Sequence, residues 1–124
     1  MSFTRVLKPR SIAVFGGREA EEVIRQCDRM NYQGEIWPVH PKKTEILGRK
    51  VYSSVDDLPA SPDAAYIAVN RYLTIDIVKA LSDRDAGGAV CFATGFTEAG
   101  DEGADLERRL LEASGDMPLL GPNC

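Results

Sequence analysis

The strongest constraint on this chain is a change of period that recurs along its length. Short runs rich in Val, Ile and Ala alternate with stretches whose apolar residues return every three or four positions. "SIAVFG" (Ser11 to Gly16) is such a run, closed by glycine, and reads as a strand buried on both faces and as the central strand of a sheet. Ala20, Val23, Ile24, Cys27 and Met30 then recur at helical spacing, with Glu19, Glu21, Glu22, Arg25, Gln26 and Arg29 on the other side. "EIWPV" (Glu35 to Val39) is a second strand ending in a proline-bounded corner. "TEILGRKVYSSVDDLP" reads as an irregular surface segment, with a helical turn around Val55 to Leu58 capped by Ser53 or Ser54.

The second half repeats the scheme. "DAAYIAV" (Asp63 to Val69) is a strand, and Leu73, Ile77, Val78 and Leu81 mark a helix that Thr74 helps to start. "GGAVCFA" (Gly87 to Ala93) is the next strand, Leu106, Leu110 and Ala113 mark a last helix with Gly115 as its C-cap, and "MPLLG" is a fifth strand. Strands that alternate with helices need right-handed crossovers between parallel neighbours. The expected fold is therefore α/β, a Rossmann-like doubly wound five-stranded parallel sheet with helices on both faces, formed by one domain over residues 1–124.

Composition narrows the function. With 124 residues, 44% of them apolar, the chain buries a core without metal or disulfide staples. Cys27, Cys91 and Cys124 are odd in number and lack metal-ligand spacing, so the first two read as small buried apolar residues and zinc is not expected. A net charge of −4 with scattered basic residues argues against a nucleic-acid surface and leaves room for a local anion pocket. No apolar stretch reaches the length of a membrane span, and the start "MSFTRVLKPRSIAVF" lacks a signal-peptide pattern. The expected location is cytoplasmic, without a membrane partner.

In open parallel sheets ligands bind beyond the carboxyl ends of the strands, where strand order reverses and helix N-termini face the crevice. Four loops then matter. Gly16, Gly17 and Arg18 in "FGGREAEE" suit either a phosphate approached closely by backbone or a tight turn without ligand; the third glycine of a dinucleotide fingerprint is missing. Lys42 and Lys43 in "VHPKK" suit either nucleotide phosphates or a solvated corner, and His40 has no partner at catalytic spacing. Val69, Asn70 and Arg71 form the third loop. Thr94, Gly95 and Thr97 form the fourth, a glycine turn entering a helix that Thr97 is placed to cap. No nucleophile–base pair or carboxylate cluster emerges.

"LKPRSIAVFGG", "GEIWPVHPKKTEILGRKVYSSVDDLP", "DAAYIAV", "ATGFTEAGDEG" and "LLGPNC" together resemble the N-terminal CoA-binding domain of NDP-forming acyl-CoA synthetases, relatives of the succinyl-CoA synthetase alpha subunit. The resemblance covers nearly the whole chain. It implies coenzyme A as ligand and a site of Gly16, Gly17, Arg18, Pro41, Lys42, Lys43, Val69, Asn70, Thr94 and Gly95, with no catalytic residue and no metal ligand in this domain. Gly16 matches the first-loop glycine, Pro41 and Lys42 match the second-loop "NPK" with His40 in place of asparagine, Val69 precedes the third loop, and Gly95 matches the fourth-loop glycine. "GGREAEE" departs from the family's longer "GAS" loop, and Asn70 stands where proline is common.

In that family "GPNC" leads toward a flavodoxin-like ligase domain carrying a phosphorylated histidine, to which His40 does not correspond, and an ATP-grasp region supplies the ATP or GTP site. The resemblance thus implies an excised CoA-binding module. The whole enzyme would interconvert acyl-CoA, NDP and phosphate with free acid, CoA and NTP. A stand-alone CoA-binding protein and a degenerate structural domain are the alternatives. NAD is disfavoured, because His40, Pro41 and Lys42 follow Val39 where an acidic residue would take the ribose.

Overall fold

A computed structural model describes residues 3–92 and 100–121. A short helix α1 (Thr4–Leu7) leads to β1 (Ser11–Phe15), α2 (Arg18–Arg29) and β2 (Glu35–Val39). A small antiparallel hairpin, β3 (Glu45–Ile46) and β4 (Arg49–Lys50), and a 3-10 turn (Val55–Asp57) follow. The chain then runs through β5 (Ala64–Ile67), α3 (Arg71–Asp83), β6 (Ala89–Cys91), α4 (Gly100–Ser114) and β7 (Leu119–Leu120).

The main sheet is parallel in the order β2-β1-β5-β6-β7. Its middle strand is β5. The expectation that β1 is central is thus off by one place, because burial on both faces marks any interior strand and all five residues of β1 are buried. Pro38, which has no N–H, sits in the edge strand β2, whose carbonyl there accepts from Tyr52 N–H at 2.9 Å.

Two apolar clusters lie on opposite faces. Ala13, Phe15, Ala65, Ile67, Ala89 and Cys91 point toward α3 and α4, where Val78, Leu81 and Leu110 are fully buried. Ile12, Val14 and Ala64 point the other way, toward Ala20 and Ile24 of α2. The register aligns Val14, Tyr66, Val90 and Leu120 in one row on the α2 side. Exposure rises along it, from 1% at Val14 to 44% at Leu120, so α2 covers one half of that face.

Several local expectations are corrected. The segment after Lys43 is not confined to the surface: Ile46, Val51, Val55 and Leu58 are buried, and Arg49 holds Asp28 of α2 at 2.9 Å. Ser53 and Ser54 do not cap the 3-10 turn; both hydroxyls donate to Asp57. Asn70, not Thr74, caps α3, its Oδ1 accepting from Leu73 N–H at 2.9 Å. Thr74 lies inside the helix and donates to Asn70 O. Ile75 rather than Leu73 faces the core, and Met30 ends α2 at 80% exposure. Gly115 ends α4 in the left-handed region, as expected. Cys91 is buried and Cys27 half-buried. Among the described residues, no helix is long and apolar enough to cross a membrane.

Candidate functional site

Strand order reverses between β1 and β5, so the loops leaving them diverge and open a crevice at their carboxyl ends. A cleft of about 440 Å³ occupies it. Phe15, Val39 and Val69 at the strand ends, with Leu73, Ile77 and Ala80 of α3, give it a largely apolar wall. The far rim is polar, formed by Ser53 and Ser54 ahead of the 3-10 turn, by Asp56 within it and by Asp76 of α3. Arg84, at the other end of α3, holds this turn in place by donating to Val55 O and Leu58 O.

Gly16 and Gly17 close the near end. Gly16 has φ +135°, and a Cβ there would lie 2.7 Å from the carbonyl oxygen of Ala68, so only glycine lets β1 turn this close to β5. Gly17 begins α2 without any side chain capping the helix, and a Cβ there would meet nothing within 4 Å. The first-turn N–H groups of α2 thus have no side-chain cap, and the turn that precedes them lines the cleft. Glu19 and Glu21 in that turn disfavour an anion, but Lys43 Nζ lies 3.6 Å from Glu21 and offsets one of them.

Of the ten residues expected at the site, Gly16, Gly17, Pro41 and Val69 line this cleft. Lys42, Lys43 and Arg18 are exposed outside its lining, and the side chain of Lys43 is engaged by Glu21. Arg18 does not pair with Glu21 or Glu22, whose ion-pair partner on α2 is Arg25. Val69 and Asn70 border a second hollow of about 540 Å³ that continues past Ala68 to Arg71, Tyr72 and Phe92. There Asn70 is committed to its helix cap, and Arg71 lies over the Tyr72 ring and 3.3 Å from Glu102. Thr94, Gly95 and Thr97 lie outside the described residues.

The α3 wall and the 3-10 rim were missed in the sequence. Their signal was present, since Leu73, Ile77 and Ala80 form a second apolar stripe beside the buried stripe of Thr74, Val78 and Leu81. His40, which has no partner at catalytic spacing in the sequence, lines the cleft, and its Nδ1 accepts from the N–H groups of Lys42 at 3.1 Å and Lys43 at 3.2 Å.

Burial pushes the Cys27 thiol up, helped by Asp28 and opposed by Arg49, and this thiol packs in the α2 cluster away from the cleft. Among the described residues no group of three or more His, Cys, Asp or Glu is placed to hold a metal ion. What the cleft offers is a glycine turn and the His40 imidazole at one end, an apolar middle and a rim of hydroxyls and carboxylates.

Known proteins resemble this chain in sequence and fold. A trans-feruloyl-CoA synthase from an unknown prokaryotic organism is 38% identical over 127 residues, covering 97% of this chain and 18% of the relative. The ADP-forming acetate–CoA ligase I of Archaeoglobus fulgidus is 38% identical over 125 residues, again covering 97% of this chain and 18% of the ligase. The apo structure of the dinucleotide-forming acetyl-coenzyme A synthetase 1 of Ca. Korarchaeum cryptofilum superposes with a TM-score of 0.89 at 27% identity, over 98% of this chain and 28% of that one. This chain thus spans under a fifth of the length of these two curated relatives. The sequence model described as a CoA binding domain matches residues 10–124, and the chain belongs to that family, homologous to the N-terminal part of ADP-forming acyl-CoA synthetases.

Proposed function

We propose that this chain is the CoA-binding module of an NDP-forming acyl-CoA synthetase and holds coenzyme A at the switch-point cleft. The observation that carries the reading is the Gly16–Gly17 turn, which lines an apolar cleft at the point of strand reversal and leads directly into the uncapped N-terminus of α2. The residues fit the ligand. The diphosphate of CoA suits the helix N-terminus with Lys42 beside it, and its uncharged portions suit the wall of Val39, Val69, Leu73 and Ile77. The acid, the phosphorylated histidine and the ATP or GTP belong, on this reading, to ligase and ATP-grasp domains elsewhere in a longer protein. Thr94 and Gly95 are read as part of the same CoA site.

Titration calorimetry with CoA, dephospho-CoA and NAD tests the assignment. CoA is expected to bind most tightly, and tighter binding of NAD would overturn it. The charged groups near the diphosphate give a second measurement. Lys42→Ala is expected to weaken CoA binding by about 1–3 kcal/mol, the scale of a hydrogen bond to a charged group, and to flatten its salt dependence. Arg18 has an exposed guanidinium next to the helix start. If it grips phosphate through two parallel hydrogen bonds, Arg18→Lys and Arg18→Ala both lose affinity. Full affinity in both variants removes Arg18 from the site.

A further inference from the structure

Beyond the cations of the second loop, the feature that fixes their place is an imidazole. Val39 ends β2, and the backbone N–H of His40 still donates to Tyr52 O at 3.0 Å, so the base of the loop is anchored in the sheet. Pro41 then turns the chain and offers no N–H of its own. The next two N–H groups, of Lys42 and Lys43, both end on His40 Nδ1, at 3.1 and 3.2 Å. A nitrogen that accepts two N–H groups carries no proton, so the ring proton sits on Nε2, and the half-buried imidazole stands in the cleft wall.

We infer that His40 is a positioning residue: its neutral Nδ1 folds the Lys42–Lys43 turn against the CoA cleft, and protonation of that nitrogen releases the turn and weakens CoA binding in acid. The inference rests on the functional reading above. Protonated Nδ1 becomes a donor pointing at two donors, and the acceptor that both amides share is gone. The new charge also faces Lys42 and Lys43 on its own loop. Glu21 on α2, which engages Lys43, and Asp56 and Asp76 across the cleft oppose that repulsion, while Tyr52 meets His40 through backbone. Asp56 and Asp76 are exposed and Glu21 is partly so, so solvent screens them, whereas the lost acceptor is a direct contact with no such screening.

The experiment has a ligand-free arm and a CoA arm. Imidazole ¹⁵N shifts of the free protein should report the Nε2–H form, and the amide signals of Lys42 and Lys43 should move together with the imidazole as the solution is brought from about pH 8 to about pH 5. Over the same range CoA affinity of the unaltered protein should fall about tenfold more than that of His40→Asn, the scale of one or two lost hydrogen bonds. The asparagine Oδ1 stands where Nδ1 stood, accepts the same two N–H groups and does not titrate. It therefore keeps affinity where His40→Ala loses it at every pH, and thermal melts of both variants separate this from unfolding. Titration of the CoA phosphates is common to both proteins and cancels in the comparison. An Nδ1–H ring, amides that ignore the imidazole titration, or identical pH profiles for the unaltered protein and His40→Asn would each overturn the inference. Absence of CoA binding at any pH would overturn the functional reading instead, and the ligand-free spectra still decide the role of His40 in the turn.

Discussion

Gly16→Ala is expected to cost about 3–5 kcal/mol of folding stability, from a strained positive φ together with overpacking, and to abolish measurable CoA binding. The new methyl group would sit 2.7 Å from the Ala68 carbonyl oxygen, a backbone atom that cannot swing aside as a side-chain tip would. Relief requires β1 and β5 to separate at their carboxyl ends. There Ala68 N–H donates to Phe15 O at 2.9 Å, so the last rung between the two strands is lost with it. The same separation displaces α2, whose first-turn N–H groups are the proposed diphosphate site. Gly17→Ala is the control: open space surrounds its Cβ position, so stability should change little while a ligand seated there is still obstructed. Urea unfolding measures the first effect and calorimetry the second. A stable Gly16→Ala protein with unaltered CoA affinity would show that close approach of β1 to Ala68 is not needed.

Asp63→Ala is expected to destabilise the fold by about 2–3 kcal/mol, toward the lower end for a broken carboxylate–guanidinium pair because Arg5 is partly in water. Asp63 stands at the entry to β5 and gathers three segments. Its Oδ1 accepts from Arg5 Nε of α1 at 2.7 Å, its Oδ2 from Arg10 N–H ahead of β1 at 2.8 Å, and its own N–H donates to Ser11 Oγ. Burial pushes this carboxyl up. The Arg5 hydrogen bond, the Arg10 N–H and both positive charges outweigh it, and the group is held below the ordinary carboxylate range. A carboxyl lowered in the folded state adds stability that is complete above its unfolded value of about 4 and is lost as pH falls through the lower folded value. The unaltered protein should therefore lose this increment in strongly acidic buffer, and Asp63→Asn should lack that part of the pH dependence. Coincident acid profiles for the two proteins would show that the pair adds nothing to stability.

The strands of the main sheet were legible because burial on two faces leaves continuous apolar runs ended by glycine or proline, as in "SIAVF" and "EIWPV". The β3–β4 hairpin was not. Its two-residue strands are too short to display a period, and Ile46 and Val51 are buried through contact with a helix some twenty residues earlier. On α3, apolar residues spread over more than the core-facing arc, so spacing alone did not tell Ile75, in the core, from Leu73, in the cleft wall. The glycine turn of the site was readable because backbone geometry dictates the residue there. The rest depends on meetings distant in sequence: Lys43 with Glu21, the 3-10 rim with α3. Asn70 was readable as a polar residue of the third loop and a candidate ligand contact, but only the helix start shows that its side chain faces Leu73 N–H.

The division of the core into two faces bears on how tightly a ligand is held. Among the described residues sixteen buried side chains form the α3–α4 cluster and eight form the α2 cluster. Local opening of a segment is governed by the apolar contacts it must break, so α2 detaches at lower free energy than the helices opposite. Yet α2 carries the proposed diphosphate site, while the more firmly anchored α3 forms the apolar wall. Part of the binding free energy is then consumed in holding α2 down, and the affinity of the cleft is set by a helix that the smaller half of the core secures.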